Sequence, residues 1–240
     1  MAEGELCVLG VRGIGEVRAG ADLAELISLA STAPGAPGLH DGDVVVVTSK
    51  VVAKAEGRVV ALDGSDAAAK VRLVEAEAVR VLRRRGDLRI TETAHGFVCA
   101  NSGIDLSNVD EGAAVLLPVD PDRSARRLRA DLRRRCGVEV GVIVSDTFGR
   151  AWRRGVTDVA IGCAGIAGVV DLRGTLDANG RVLEATEVCV ADELASAADL
   201  VMGKATGIPV AIVRGADPSW LRDGSVREEV VRPYDEDLFR

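Results

Sequence analysis

Residues 43–48 read DVVVVT, and the four consecutive valines decide the architecture. A strand with one wet face alternates apolar and polar residues, whereas a strand covered on both faces reads as an unbroken β-branched run. The segment is therefore expected inside a sheet that is packed on both sides. Working outward, residues 139–144 form a second apolar strand, which the stretch VGVIVSDTFGR (140–150) ends in Ser145, Asp146 and Thr147. Three oxygen-bearing side chains arriving together at a strand end suit an anionic or oxygen-seeking ligand.

Further strands are expected at 6–11, 88–92, 96–100, 115–118, 156–161, 169–173 and 209–214. Helices are expected at 22–31, with Asp22 as cap, and at 65–85, 124–135 and 187–203. Residues 51–60 either add a second strand or bend away. DANGRV at 177–182 sets Asn-Gly between apolar flanks, the signal of a two-residue hairpin. Strands and helices mix without regular βαβ alternation, so the fold class is α+β, with mixed sheets and packed helices. A length of 240 residues fits one domain, built as one lobe or two.

Hydrophobic residues make up 48% of the chain but aromatics only 2%, so the core must be aliphatic. The net charge of -7 argues against a general nucleic-acid binder. The arginines of residues 123–135 have no interleaved aromatics and read as a solvated helix face. Cys7, Cys99, Cys136, Cys163 and Cys189 are scattered without a CxxC pair, which points to buried, reduced thiols. No signal peptide and no membrane-length apolar run stands in the sequence, so a cytoplasmic protein is expected. His40 and His95 lie in unrelated contexts and make no dyad.

Three polar clusters carry the candidate chemistry. VTSKVVAKAEGR (47–58) ends a buried strand in hydroxyls and ammonium groups, with Lys54 close behind. It is either a phosphate-binding end or a set of solvated lysines, and it lacks the glycine cradle of a Walker loop. VRGIG (11–15) offers glycines for close backbone approach, or simply a turn. NSGIDLSNVDEG (101–112) brings Asp105 and Asn108, as a capped turn or as ligands. Magnesium and manganese favour carboxylate and phosphate oxygens, which Asp105, Asp146 and Thr147 would suit. Arg150, Arg153 and Arg154 would then balance phosphate charge.

The blocks DGDVVVVTSKVVAKAEGR, SGIDLSNV, LLPVDPDRSARRLR, VIVSDTFGRAWRRG, TEVCVADELASAADLVMGKATGIPVAIVRG and the final DLF resemble the coenzyme F420:L-glutamate ligase (gamma-glutamyl ligase) family. They resemble the actinobacterial type, whose ligase module is often fused to a C-terminal flavin-dependent reductase domain; a stand-alone ligase or the ligase half is expected here. The resemblance implies GTP-dependent addition of L-glutamate to the terminal carboxylate of a deazaflavin precursor, then further gamma-linked glutamates, through an acyl phosphate. It implies magnesium or manganese, with potassium often stimulatory, and an intertwined homodimer with the site near the subunit interface.

Carried over by residue, the resemblance makes Asp105, Asp146 and Thr147 the metal ligands, and Asp105, Asp146 and Lys54 the catalytic set. It assigns guanine-nucleotide contacts to Val11, Arg12, Gly13, Ile14, Ser49, Lys54 and Asn108, and to Met202, Gly203, Lys204, Ala205, Thr206, Gly207, Ile208 and Pro209. Where some members carry Gln as a further metal ligand, this chain has Lys204, whose ammonium cannot ligate a metal, so either the second metal is held differently or Lys204 contacts phosphate. Two other readings stand beside a ligase. One is a metal-dependent kinase or phosphatase acting on a small carboxylate. The other is a non-catalytic GTP- and metal-binding module partnering a flavin-dependent reductase.

Overall fold

The computed structural model describes residues 4–238 apart from 64, 65, 67 and 108–111. The chain runs through β1 (Cys7–Val11), α1 (Leu23–Thr32), β2 (Val44–Thr48), α2 (Ser49–Ala55), β3 (Val59–Ala61), α3 (Ala69–Ala76), β4 (Ala78–Arg85) and β5 (Leu88–Thr93). Then come β6 (Val98–Ala100), β7 (Ala113–Val115), α4 (Pro121–Cys136), β8 (Gly141–Gly149) and β9 (Val156–Ala164). It closes with β10 (Val170–Asp171), β11 (Glu187–Val188), α5 (Val190–Met202), β12 (Val210–Arg214) and α6 (Val226–Glu229).

The main sheet has the order β1-β12-β2-β8-β9, with β2 and β8 parallel and every other pair antiparallel. Val44, Val45, Val46 and Val47 are fully buried, as an interior strand covered on both faces requires. Helix α5 lies across all five strands, while α4 packs on β8, β9 and α1. Smaller sheets β4-β5-β6, β3-β7 and β10-β11 complete a mixed α+β fold. Among the described residues, no helix is long and apolar enough to cross a membrane.

Local signals explain the helix ends. Asp22 accepts the Glu25 N–H at 2.9 Å, which satisfies one of the open donors at the start of α1. Asp120 does the same for Arg123 at 2.9 Å, with Pro121 in the first turn, so α4 starts before the expected residue 124. Gly137 ends α4 in the left-handed region at φ 70, behind Arg133, Arg134 and Arg135, whose charge suits a helix C-terminus.

Several expectations need correction. The stretch 65–85 is not one helix: α3 stops at Ala76, and β4 follows. Val79 and Val81 alternate with Arg80 at a period of two, and Gly86-Asp87 turns the chain into β5, so strand pairing wins over helix propensity. Of the two readings left open for residues 51–60, the second holds: the chain bends into α2 before a short β3. The strand at 139–144 does not end before Ser145, because a bulge lets β8 continue to Gly149. Similarly, the expected helix at 187–203 begins only at Val190, after the short strand β11. Of the thiols, Cys99 and Cys163 are buried, Cys136 and Cys189 are half-buried, and Cys7 is exposed against expectation.

Candidate active site

The site begins where β2 stops and β8 does not. The last register pair between them is Thr48 with Ser145, and beyond it β8 bonds only to β9. Asp146 and Thr147 therefore sit at the end of the sheet as seen from β2, though inside the β8 strand. They border a cleft of about 910 Å³. Its other walls are the start of α2 and the loops at 14–17, 103–107 and 203–209.

Asp146 is half-buried on the inner wall of the cleft. Ser49 Oγ, in the first turn of α2, donates to its Oδ1 at 2.8 Å. Burial pushes the Asp146 carboxyl up to about 7, and the nearby charges of Asp158 and Asp105 push the same way. The Ser49 hydroxyl and the Thr147 N–H only partly offset this. At the other wall, burial also raises Asp105, but the Lys50 ammonium at 2.7 Å and the Ser107 N–H at 2.7 Å outweigh it and hold the carboxyl below its usual range.

Lys54, nearly buried, reaches Glu16 Oε1 at 2.6 Å, and that bond lowers the Glu16 carboxyl. Lys204 Nζ donates to Thr147 Oγ1 at 2.6 Å and to Asp158 Oδ1 and Asp199 Oδ1 at 2.7 Å each. Partial burial opposes its charge, but the two carboxylates raise its pKa. The cations on the cleft wall are thus Lys50, Lys54 and Lys204. Arg150, Arg153 and Arg154, expected to balance phosphate, are instead exposed in the turn between β8 and β9 and do not line it.

The cleft gathers most of the residues singled out from sequence. Ile14, Ser49, Lys54, Asp105, Asp146 and Thr147 line it, and so do Gly203, Lys204, Ala205, Gly207, Ile208 and Pro209. Val11 and Met202 are core side chains, and Arg12 and Gly13 are exposed away from the wall. Thr206 is exposed, donates to the Met202 carbonyl and does not line the cleft. Asn108 lies outside the described residues. Sequence reasoning missed Asp158, Asp199 and Glu16. The one signal for Asp158 was a carboxylate inside the apolar run VTDVAIG; it is 2% exposed in β9.

As a metal centre the site is spare. Among the described residues no three His, Cys, Asp or Glu side chains gather closely enough to hold an ion. Magnesium, however, commonly takes only one or two protein carboxylates, the rest being water and phosphate. Asp146, half-buried and burdened by neighbouring negative charge, fits that demand, with Asp105 across the cleft. Thr147 fits it less well, because its hydroxyl donates to Asp158 at 2.7 Å and accepts from Lys204.

Fold and cleft together define a class: a mixed α+β protein with acidic and basic groups opposed at the open end of its sheet. A family model described as F420-0:Gamma-glutamyl ligase matches residues 12–215. The chain belongs to this family. It is 44% identical to the coenzyme F420:L-glutamate ligase of Methanothermobacter thermautotrophicus, over 98% of this chain and 99% of that one. The protein of the same name from Methanopyrus kandleri is 43% identical, over 94% of each chain. That of Archaeoglobus fulgidus is 40% identical, over 97% of this chain and 96% of its own.

Proposed function

We propose that this protein joins L-glutamate to the terminal carboxylate of the deazaflavin precursor of coenzyme F420, uses GTP to do so, and extends the product through gamma-linkages. The observation that carries the reading is the 40–44% identity, over nearly the whole of each chain, to ligases of that name. The cleft supports it with chemistry suited to phosphates: lysines, a strand-end hydroxyl and two opposed carboxylates.

A carboxylate is a poor electrophile, so amide formation needs an activated acyl group. In this reading an oxygen of the precursor carboxylate attacks the γ-phosphorus and GDP leaves, giving an acyl phosphate. The glutamate nitrogen then attacks the acyl carbon, phosphate leaves, and the amine proton passes to solvent. Lys50 and Lys54 face the negative charge that builds on the phosphoryl oxygens. Asp105 and Asp146 would hold magnesium or manganese, which when bound neutralises phosphate charge. The homodimer belongs to the same proposal, and light scattering in solution checks it.

Phosphate release separates this from the rival readings. With GTP, a divalent ion and the precursor, release should rise strongly when glutamate is added. Release that ignores glutamate would favour a small-carboxylate kinase or phosphatase. No release with all components present would favour a binding module.

A further inference from the structure

Lys204 is held differently from the other two lysines of the cleft. Lys50 meets one carboxylate, Asp105 at 2.7 Å, with two oxygens of Ser107 at 2.9 Å, and Lys54 pairs with Glu16 at 2.6 Å, whereas Lys204 meets two carboxylates and a hydroxyl brought from three separate elements. An ammonium has three hydrogens to donate. Here Thr147 Oγ1 from β8, Asp158 Oδ1 from β9 and Asp199 Oδ1 from α5 receive them at 2.6–2.7 Å. Asp158 is further satisfied by the Ser145 hydroxyl at 3.0 Å and the Thr147 hydroxyl at 2.7 Å.

The backbone is shaped to deliver this group. Gly203 sits at φ 58, ψ 173, a conformation essentially closed to residues with a side chain. A Cβ there would also stand 2.9 Å from Thr206 Cγ2. The turn sends the chain back so that Lys204 meets Asp199, five residues earlier on α5. Two carboxylates and a hydroxyl converging on one positive centre make a cation position, and the centre is part of the chain.

We propose that the Lys204 ammonium is the resident cation of the Thr147, Asp158 and Asp199 cluster, and that it keeps divalent ions out of this end of the cleft. Thr147 then serves the lysine and not a metal, and any divalent ion is confined to the Asp105 and Asp146 end. A divalent ion would have to draw the same oxygens in to roughly 2.0–2.1 Å, the range for magnesium, which an ammonium at their centre forbids. This deepens the ligase reading, since it concerns which cations that cleft holds.

The test counts bound Mn²⁺ per chain by electron paramagnetic resonance, without nucleotide or substrate, in the wild type, Lys204→Gln and Lys204→Met. Each variant is expected to bind one ion more than the wild type. Adding Asp199→Asn to Lys204→Gln should remove the extra ion. A variant that folds only with Mn²⁺ present, holding one more ion than the wild type, is the same result. Equal counts in folded variants overturn the proposal, and so do variants that stay unfolded at every Mn²⁺ concentration. A wild type that binds no Mn²⁺ while the variants bind one leaves this proposal standing. The Asp105 and Asp146 end draws part of its coordination from phosphate and can stay empty without nucleotide.

Discussion

Ser49 and Asp146, 97 residues apart in the chain, are joined by a 2.8 Å hydrogen bond from the Ser49 hydroxyl to Asp146 Oδ1. The parallel register of β2 and β8 brings them there: Thr48 pairs with Ser145, so the residue after each, Ser49 opening α2 and Asp146 within β8, meets at the cleft. Asp146 is the residue on which the proposed chemistry leans most. Asp146→Asn keeps the shape and removes the charge that hard cations require. Ligation should fall to a small fraction of wild type. The metal-free melting temperature should not drop, because the amide does not carry the charge that Asp158 and Asp105 repel. Full activity at saturating metal would contradict the assignment.

Nucleotide choice is a separate expectation. No guanine-reading NKxD motif stands in the chain, so preference for GTP over ATP follows from the family. Titrating each nucleotide in the phosphate-release assay should give a clearly higher kcat/KM for GTP. Equal efficiency with ATP would show that the base-binding loop does not discriminate.

Much of this site was legible because valine runs announce interior strands, and interior strands of one sheet end near each other. Asp146 and Lys54 were singled out that way, by polar groups at the edge of apolar runs, whereas Asp105 stands in a polar loop and its candidate role came from the family resemblance. Asp158 and Asp199 were not, because their meaning depends on Lys204 coming back to them through the Gly203 turn. The β4 strand was misread for a different reason. Its arginines suit a helix face equally well, and only pairing with β5 decides the matter. The β8 bulge, which extends that strand past Val144, leaves no mark in composition.

Packing gives a prediction away from the site. Gly162 of β9 lies against the start of α4, where an added Cβ would come within 2.3 Å of the Pro121 carbonyl carbon. That neighbour is backbone, fixed by the capped end of α4. Gly162→Ala should cost about 1–3 kcal/mol or more through overpacking. For a chain of this size that means a melting temperature lower by roughly 2–4 °C per kcal/mol. An unchanged melt would show that α4 shifts freely.

Glu229 supplies a pH dependence. It accepts the Gly168 and Val169 N–H groups at 3.0 and 3.1 Å and pairs with Arg222 at 2.8 Å. Burial raises its carboxyl, but Arg222 and the two N–H groups outweigh burial and hold it below its ordinary 4.5. With the folded value depressed, the unfolded chain binds more protons in the window just below 4.5, so stability rises with pH there. The contribution is complete above that window and is lost as pH falls through the folded value. Glu229→Gln should melt below wild type at pH 7, by about 1 kcal/mol. The gap should close as the pH is taken down below 4.5. A gap independent of pH would mean that Glu229 acts by shape and not by charge.

The most direct measurement is mass spectrometry of the deazaflavin precursor after incubation with this protein, GTP, L-glutamate and Mn²⁺. The account predicts product heavier by one glutamyl residue, and then by further whole glutamyl residues, with each addition absent when GTP or glutamate is withheld. Precursor of unchanged mass, recovered after GTP has been turned over by folded protein, would contradict it.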